Sequence, residues 1–458
     1  MNRNRCRYPS GNDEARSRQA QALLICRALF FFIGLCFASS AQANASAKEE
    51  AAYPIKDPFL ATVIGTPPEL QADLGQAPKL KLGKWVRFPE RDVPNVFMNG
   101  NTLRYVWARQ KKAAPMVFVL AGTGGSFFDP KVRFLMSALH HVGFHVVGLS
   151  SPTHTGFITA ASESEMPGRP SADAEDLIAV MKQVRNDLEN KIEITGFGLV
   201  GYSLGGTDAA FVAERDSRLK EFDFFEVYLI NPAVNLHHSA ERLDALYREA
   251  LPDGDASINQ LVSTSLKKAI HYVHQSGSTP LGSEFLYQAI ADMHPTDTDL
   301  EGVIATSFRL SSANMSFTAD AMTQSGKIVN PNKKLKVGTD MEGYFNESLH
   351  WSFVRYLDEL LLPYWLKRTE LSREQLVAQA SLASIQEFLQ STDTVEVVTN
   401  RDDIVLGPGD LEFLKETFGD RAIIHPHGGH CGNLEFDPNV RRMQERFVSS
   451  AQARGDHP

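Results

Sequence analysis

Between residue 79 and the C-terminus, unbroken apolar runs alternate with amphipathic stretches, and the alternation carries most of the fold information. The first strands are expected in KLKLGKWVRF (79–88) and VFMNGNTLRYVWARQ (96–110), where Asn99-Gly100 has the composition of a type I′ hairpin turn. PMVFVL (115–120) is an uninterrupted apolar run, the signature of a strand buried on both faces. A helical stretch over 129–141 leads to a second such run, FHVVGLS (144–150). SADAEDLIAVMKQVRNDL (171–188) then reads as a helix with Ser171 at its N-cap and acids in its first turn. A strand near 197–201 enters GYSLGG (201–206) and the helix TDAAFVAERD (207–216). FFEVYLIN (224–231) is the next strand, closed by Pro232.

The alternation stops over 237–392, which is helical in pattern with no convincing strand. It returns at TVEVVTN (394–400), with a helix from Asp410, a strand at AIIHP (422–426) and a last helix over 437–453. Strand–helix alternation implies a mostly parallel sheet with helices on both faces. The expected organisation is an irregular leader (44–78), a core in two parts (79–236 and 393–458) and a helical lid or cap (237–392) inserted before the strand at 394.

Composition narrows the class. Apolar residues are 43% and charged residues 22%, ordinary values for a chain that buries a core. The net charge is −9 and no Lys/Arg-rich run occurs, which argues against nucleic acid as a partner. Near the N-terminus, six arginines precede residue 28, the apolar run ALFFFIGLCFA (28–38) follows, and AQA (41–43) has the small-x-small form of a cleavage site. Residues 1–43 therefore read as a signal peptide, with an uncleaved membrane anchor as the alternative. The protein is expected to be exported, periplasmic or secreted, with membrane association through this segment as a further possibility. Removing it takes Cys6, Cys26 and Cys36, and Cys431 is left without an internal disulfide partner.

Four short motifs carry chemistry. GYSLGG holds Gly201-x-Ser203-x-Gly205 between a strand and a helix. A hydroxyl on so sharp a turn needs residues without bulk on either side, and the helix that follows aims its N–H groups at a developing oxyanion. AGTGGS (121–126) lacks the ending of a phosphate loop and reads as an oxyanion loop, with Gly122 and Gly124 letting the backbone approach the substrate. TNRDDIVLG (399–407) places Asp402 and Asp403 at a strand's C-terminal edge, where sites in parallel sheets gather. HPHGGHCGN (425–433) has three histidines and a cysteine, but Gly428-Gly429 stand where a metal site of this form needs an acid. His154, after the 144–150 strand, lies at the same edge and is a candidate for substrate contact.

FVLAGTGG, LVGYSLGG, TNRDDIVLG and GGHCGN, in this order and setting, resemble the α/β-hydrolase superfamily over 79–236 and 393–458. The resemblance implies an α/β-hydrolase fold and a serine hydrolase, esterase- or lipase-like. It places the nucleophile at Ser203, the acid at Asp402 ahead of Ile404 and Val405, and the base at His430. Thr123 and Leu204 become the oxyanion donors, although Ala121 stands where the family has His. The implied substrate is a small-molecule or lipid-like ester, and no metal or cofactor is required. An acyltransferase with the same triad and an inactive binding module are the rival readings. NESLHWSFVRYLDELLLPYWLK (346–367) reads as one helix whose apolar stripe packs on the core or covers an acyl-chain pocket.

Overall fold

The computed structural model describes residues 52–98, 100–251, 296–456 and 458. The segment read as a signal peptide, residues 252–295 of the helical block, and Asn99 lie outside the described residues. Among those described, no helix is long and apolar enough to cross a membrane.

Eight strands form one sheet: β1 (Lys81–Trp85), β2 (Leu103–Ala108), β3 (Ala114–Leu120), β4 (His145–Leu149), β5 (Ile194–Tyr202), β6 (Glu226–Ile230), β7 (Val395–Asn400) and β8 (Ala422–His425). Their order is β1-β2-β4-β3-β5-β6-β7-β8. β2 pairs antiparallel with β1 and with β4, and every other pairing is parallel. The expected mostly parallel sheet is present. β4 lies on one side of β3 and β5 on the other, so the loops leaving β3 and β5 diverge and open a crevice at their C-terminal ends.

The apolar runs are buried on both faces, as the absence of alternation requires. Met116, Phe118 and Leu120 of β3 face one core layer, with helices α3 (Pro170–Leu188), α4 (Leu204–Leu219) and α7 (Asp410–Phe418). Val117 and Val119 face the other, with α2 (Pro130–His141) and α8 (Asp437–Ala453). Between β6 and β7 the regular elements among the described residues are helices. They include α5 (Leu236–Ala250) and α6 (Asp297–Thr323), the latter opened by a capping box at Thr296 and Asp299.

Several local expectations change. The antiparallel partner of β2 is β1, across a connection at 86–102, and residues 96–98 form a turn instead of a strand. Helix α3 begins at Pro170 with Arg169 at the N-cap, because proline's fixed φ suits the first helical position and takes it from Ser171. The stretch 346–367 is not one helix. Glu342–Leu349 ends at His350, and Ser352 caps a new helix whose second turn is a π-helix over Leu357–Leu361. The region read as an irregular leader contains α1 (Pro58–Ile64), capped by Asp57 with Pro58 at N1.

Candidate active site

Ser203 joins β5 to α4 with φ 55° and ψ −130°, a conformation that costs an L-residue energy and that the surroundings must enforce. They do so through missing side chains. A Cβ on Gly201 would overlap the Gly205 carbonyl, and one on Gly205 would sit 2.5 Å from the Ala121 oxygen and 2.6 Å from that of Leu120. The Ser203 N–H donates to the Ile230 carbonyl at 2.8 Å, which pins the turn to the end of β6.

His430 reaches Ser203 from the loop after β8. Its Nε2 lies 2.8 Å from Ser203 Oγ. Its Nδ1 lies 2.9 and 3.1 Å from the two carboxylate oxygens of Asp403. A proton on Nδ1, held by that carboxylate, leaves the Nε2 lone pair facing the serine hydroxyl.

The acid beside His430 is therefore Asp403, which corrects the assignment to Asp402. The chain leaves β7 with the Arg401 N–H on the His425 carbonyl and then turns, the Asp403 N–H donating to Asn400. That turn sends Asp403 inward, where it also accepts from the Val405 N–H at 2.9 Å and from Asn231 Nδ2 at 2.8 Å. Asp402 points along the edge and receives the N–H groups of Gly428 (3.3 Å) and Gly429 (2.9 Å). It shapes the histidine loop instead of orienting the imidazole.

That loop is held on three sides. Asn400 donates to the Gly429 carbonyl at 2.8 Å and exchanges hydrogen bonds with Asn433. From α1, Thr62 Oγ1 accepts the His430 N–H at 2.9 Å while donating to the Pro58 carbonyl at 2.6 Å. Gly429 has φ 53° and a Cβ there would strike that carbonyl, so the position favours glycine twice over. Tyr53 and Thr66 both donate to the Gly432 carbonyl. His425 ends β8, and His427 Nδ1 sits 3.5 Å from Asp402. Among the described residues, no group of three His, Cys, Asp or Glu side chains is arranged to hold a metal.

Thr123 and Leu204, the oxyanion candidates, both line space at Ser203. Leu204 opens α4, where the first N–H groups have no intrahelical acceptor. Gly122 lies so close that a Cβ on it would be 3.0 Å from Ser203 Cβ. Gly124 takes a different part from the one expected. Its N–H is engaged by Thr153 Oγ1 at 2.8 Å, which fixes the 121–126 loop. His154 also differs: it caps the short helix Thr155–Ala160 through Nδ1, accepts from the Gly156 N–H, and lines neither cavity at Ser203. Burial lowers its pKa, which favours the neutral acceptor this cap needs. Burial pushes the Cys431 thiol well up, so it stays protonated.

Two cavities meet at Ser203, sharing Thr123 and Phe308. One, of about 150 Å³, is lined by His430, Thr62, Asp129, Lys131, Ser307 and Ser311 among others. The other, of about 80 Å³, is walled by Leu204 and by apolar side chains of α5, α6 and 353–357. Larger hollows near Lys333 and along β1 contain no serine, cysteine or histidine. Asn231, Thr62, Asn400 and Asn433 were not singled out in the sequence. Asn231 left a weak signal there, as a polar residue between a buried strand and a proline.

No family model and no curated protein matches the chain. Similar solved structures include the thioesterase domain from the curacin biosynthetic pathway, at 15% identity and TM-score 0.38, covering 81% of this chain and 100% of that one. Proline iminopeptidase of Mycobacterium smegmatis is 16% identical with TM-score 0.37, covering 77% and 97%. A thermostable esterase from Pseudomonas putida is 14% identical with TM-score 0.38, covering 85% and 86%. What decides the architecture is internal to the molecule. A sheet ordered β1-β2-β4-β3-β5-β6-β7-β8, with a strained serine turn leaving its central β5, gives the chain the α/β-hydrolase fold.

Proposed function

We propose that the protein is a serine hydrolase that cleaves carboxylic esters. The observation that carries the proposal is the pair of hydrogen bonds, 2.8 Å from Ser203 to His430 and 2.9 Å from His430 to Asp403, at a strained turn that faces two cavities.

In this reading His430 Nε2 takes the Ser203 proton as Oγ attacks the ester carbonyl carbon. Asp403 holds the imidazole in the Nδ1–H tautomer and stabilises the imidazolium that forms. The Thr123 and Leu204 N–H groups receive the oxyanion, and loss of one such donor costs roughly 10²–10³ in turnover. The C–O bond to the leaving group then breaks while His430 returns the proton to the departing oxygen. Water, deprotonated by the same Nε2, hydrolyses the acyl-enzyme and restores Ser203.

The helices between β6 and β7 act as a cap in this scheme, since α6 contributes Phe308 to both cavities. Export through residues 1–43 completes the proposal and rests on the sequence of that segment. The test is hydrolysis of p-nitrophenyl butyrate by the full chain and by Ser203→Ala. Turnover by wild type that Ser203→Ala lacks is expected. Equal turnover by both would remove Ser203 from the reaction.

A further inference from the structure

The two cavities differ in chemistry, and their placement about the reacting atoms assigns a part of the substrate to each. His430 lines the larger cavity and not the smaller one; Leu204 lines the smaller and not the larger. During acyl transfer the leaving oxygen must receive its proton from Nε2, so the leaving group lies on the His430 side. The acyl group, whose carbonyl oxygen sits at the Leu204 N–H, then extends into the smaller cavity.

That smaller cavity presents carbon. Ala240, Leu243, Met315, Phe353, Leu357 and Val405 line it, and it holds no charged side chain. Beyond Thr123 and the nucleophile at its mouth, its hydroxyls are engaged within the protein. Tyr356 donates to the Pro167 carbonyl at 2.6 Å, Ser239 to the Val405 carbonyl at 3.1 Å, and Thr153 holds the Gly124 N–H. A polar acyl group entering there would exchange its hydration for a wall made mostly of carbon. The larger cavity is lined by the charged side chains of Asp129 and Lys131 and by Ser307 and Ser311, so a polar leaving group meets a polar wall there instead of carbon.

We infer that the substrate is an ester joining a compact apolar acyl chain to a polar, hydrogen-bonding alcohol, the acyl chain lying between α5 and residues 353–357. The inference rests on the serine-hydrolase reading above. At about 80 Å³ the apolar cavity is a small one, which favours butanoyl or hexanoyl chains over both acetyl and dodecanoyl. Each methylene buried there contributes roughly fourfold to kcat/KM, at about 0.8 kcal/mol per CH₂.

The experiment uses the full chain with two ester series. One varies the acyl chain from acetyl to dodecanoyl on a fixed glycerol alcohol. The other varies the alcohol from glycerol to an alkanol of similar size on a fixed butanoyl group. Ala240→Phe is expected to depress the butanoyl and hexanoyl esters tenfold or more relative to acetyl. Leu357→Ala moves the optimum to longer chains and keeps the inference testable if the first variant folds poorly. Both leave the glycerol-over-alkanol preference in place. Acyl preferences that stay fixed in folded variants while the alcohol preference shifts would place the alcohol in the apolar cavity and overturn the inference alone. No hydrolysis of any ester, with no fluorophosphonate labelling of Ser203, would overturn the serine-hydrolase reading and the inference with it.

Discussion

At the scale of single residues the main result is the division of labour between two adjacent aspartates. Asp403 accepts three hydrogen bonds in a buried position, from His430, Asn231 and Val405. Asp402 accepts from two loop amides. The sequence could not separate them, because the aliphatic run Ile404-Val405-Leu406 satisfies the same spacing rule from either residue. Only the turn after Asn400 decides which carboxylate points inward. Asp403→Asn is expected to lower kcat about 10⁴-fold, since an amide stabilises the wrong tautomer and no imidazolium. Asp402→Asn keeps an acceptor for the glycine amides and is expected to cost about tenfold or less. Steady-state rates on one ester check both, and a larger loss at 402 would reverse the assignment.

At the scale of elements, the short helix α1 ties the N-terminal part of the chain to the histidine loop. Thr62 supplies the acceptor for the His430 N–H, and Gly429 packs on the Pro58 carbonyl. Nothing in the composition of 52–66 announces this, because its partners lie more than 360 residues away. Thr62→Val keeps the volume and removes the acceptor, leaving a buried amide unpaired at a cost of about 1–3 kcal/mol. In Thr62→Val kcat is expected to fall several-fold with KM little changed, with Thr62→Ser close to wild type. A variant that melts earlier but turns over at the wild-type rate would reduce α1 to a structural role.

The other element-scale differences have the same origin. The stripe at 346–367 has helical spacing throughout, yet Ser352 is a strong N-cap and starts a second helix inside it. The sheet was the most legible part, because strands buried on both faces need long apolar runs and those runs are visible in one dimension. Ser203 and His430 were legible because glycines at fixed offsets mark turns that little else can make. The braces, Asn231, Thr62, Asn400 and Asn433, were not, since a polar residue that serves a distant partner has no local signature.

On the scale of the whole molecule, buried acids couple folding to pH. Asp173 on α3 and Asp208 on α4 are fully enclosed, and Asp208 Oδ2 has no hydrogen-bond partner. Burial raises both carboxyls, and for Asp173 the neighbouring Asp208 adds to the rise. The folded protein therefore keeps protons that the unfolded chain releases near pH ~4. This contribution to stability is whole below that value and is lost as pH rises through the folded pKa values. Asp208→Asn removes one of the two acids. Between about pH 5 and about pH 9 the melting temperature of wild type is expected to fall relative to that of the variant. Parallel curves would show that Asp208 is not protonated in the folded state.

The central claim, that Ser203 is a nucleophile activated by His430, is tested most directly by covalent capture. The full chain is treated with a fluorophosphonate and digested, and the modified peptide is located by mass. One stoichiometric adduct on Ser203 is expected, absent in Ser203→Ala and formed far more slowly in Asp403→Asn. An unmodified protein, or an adduct that persists at another residue in Ser203→Ala, would contradict it.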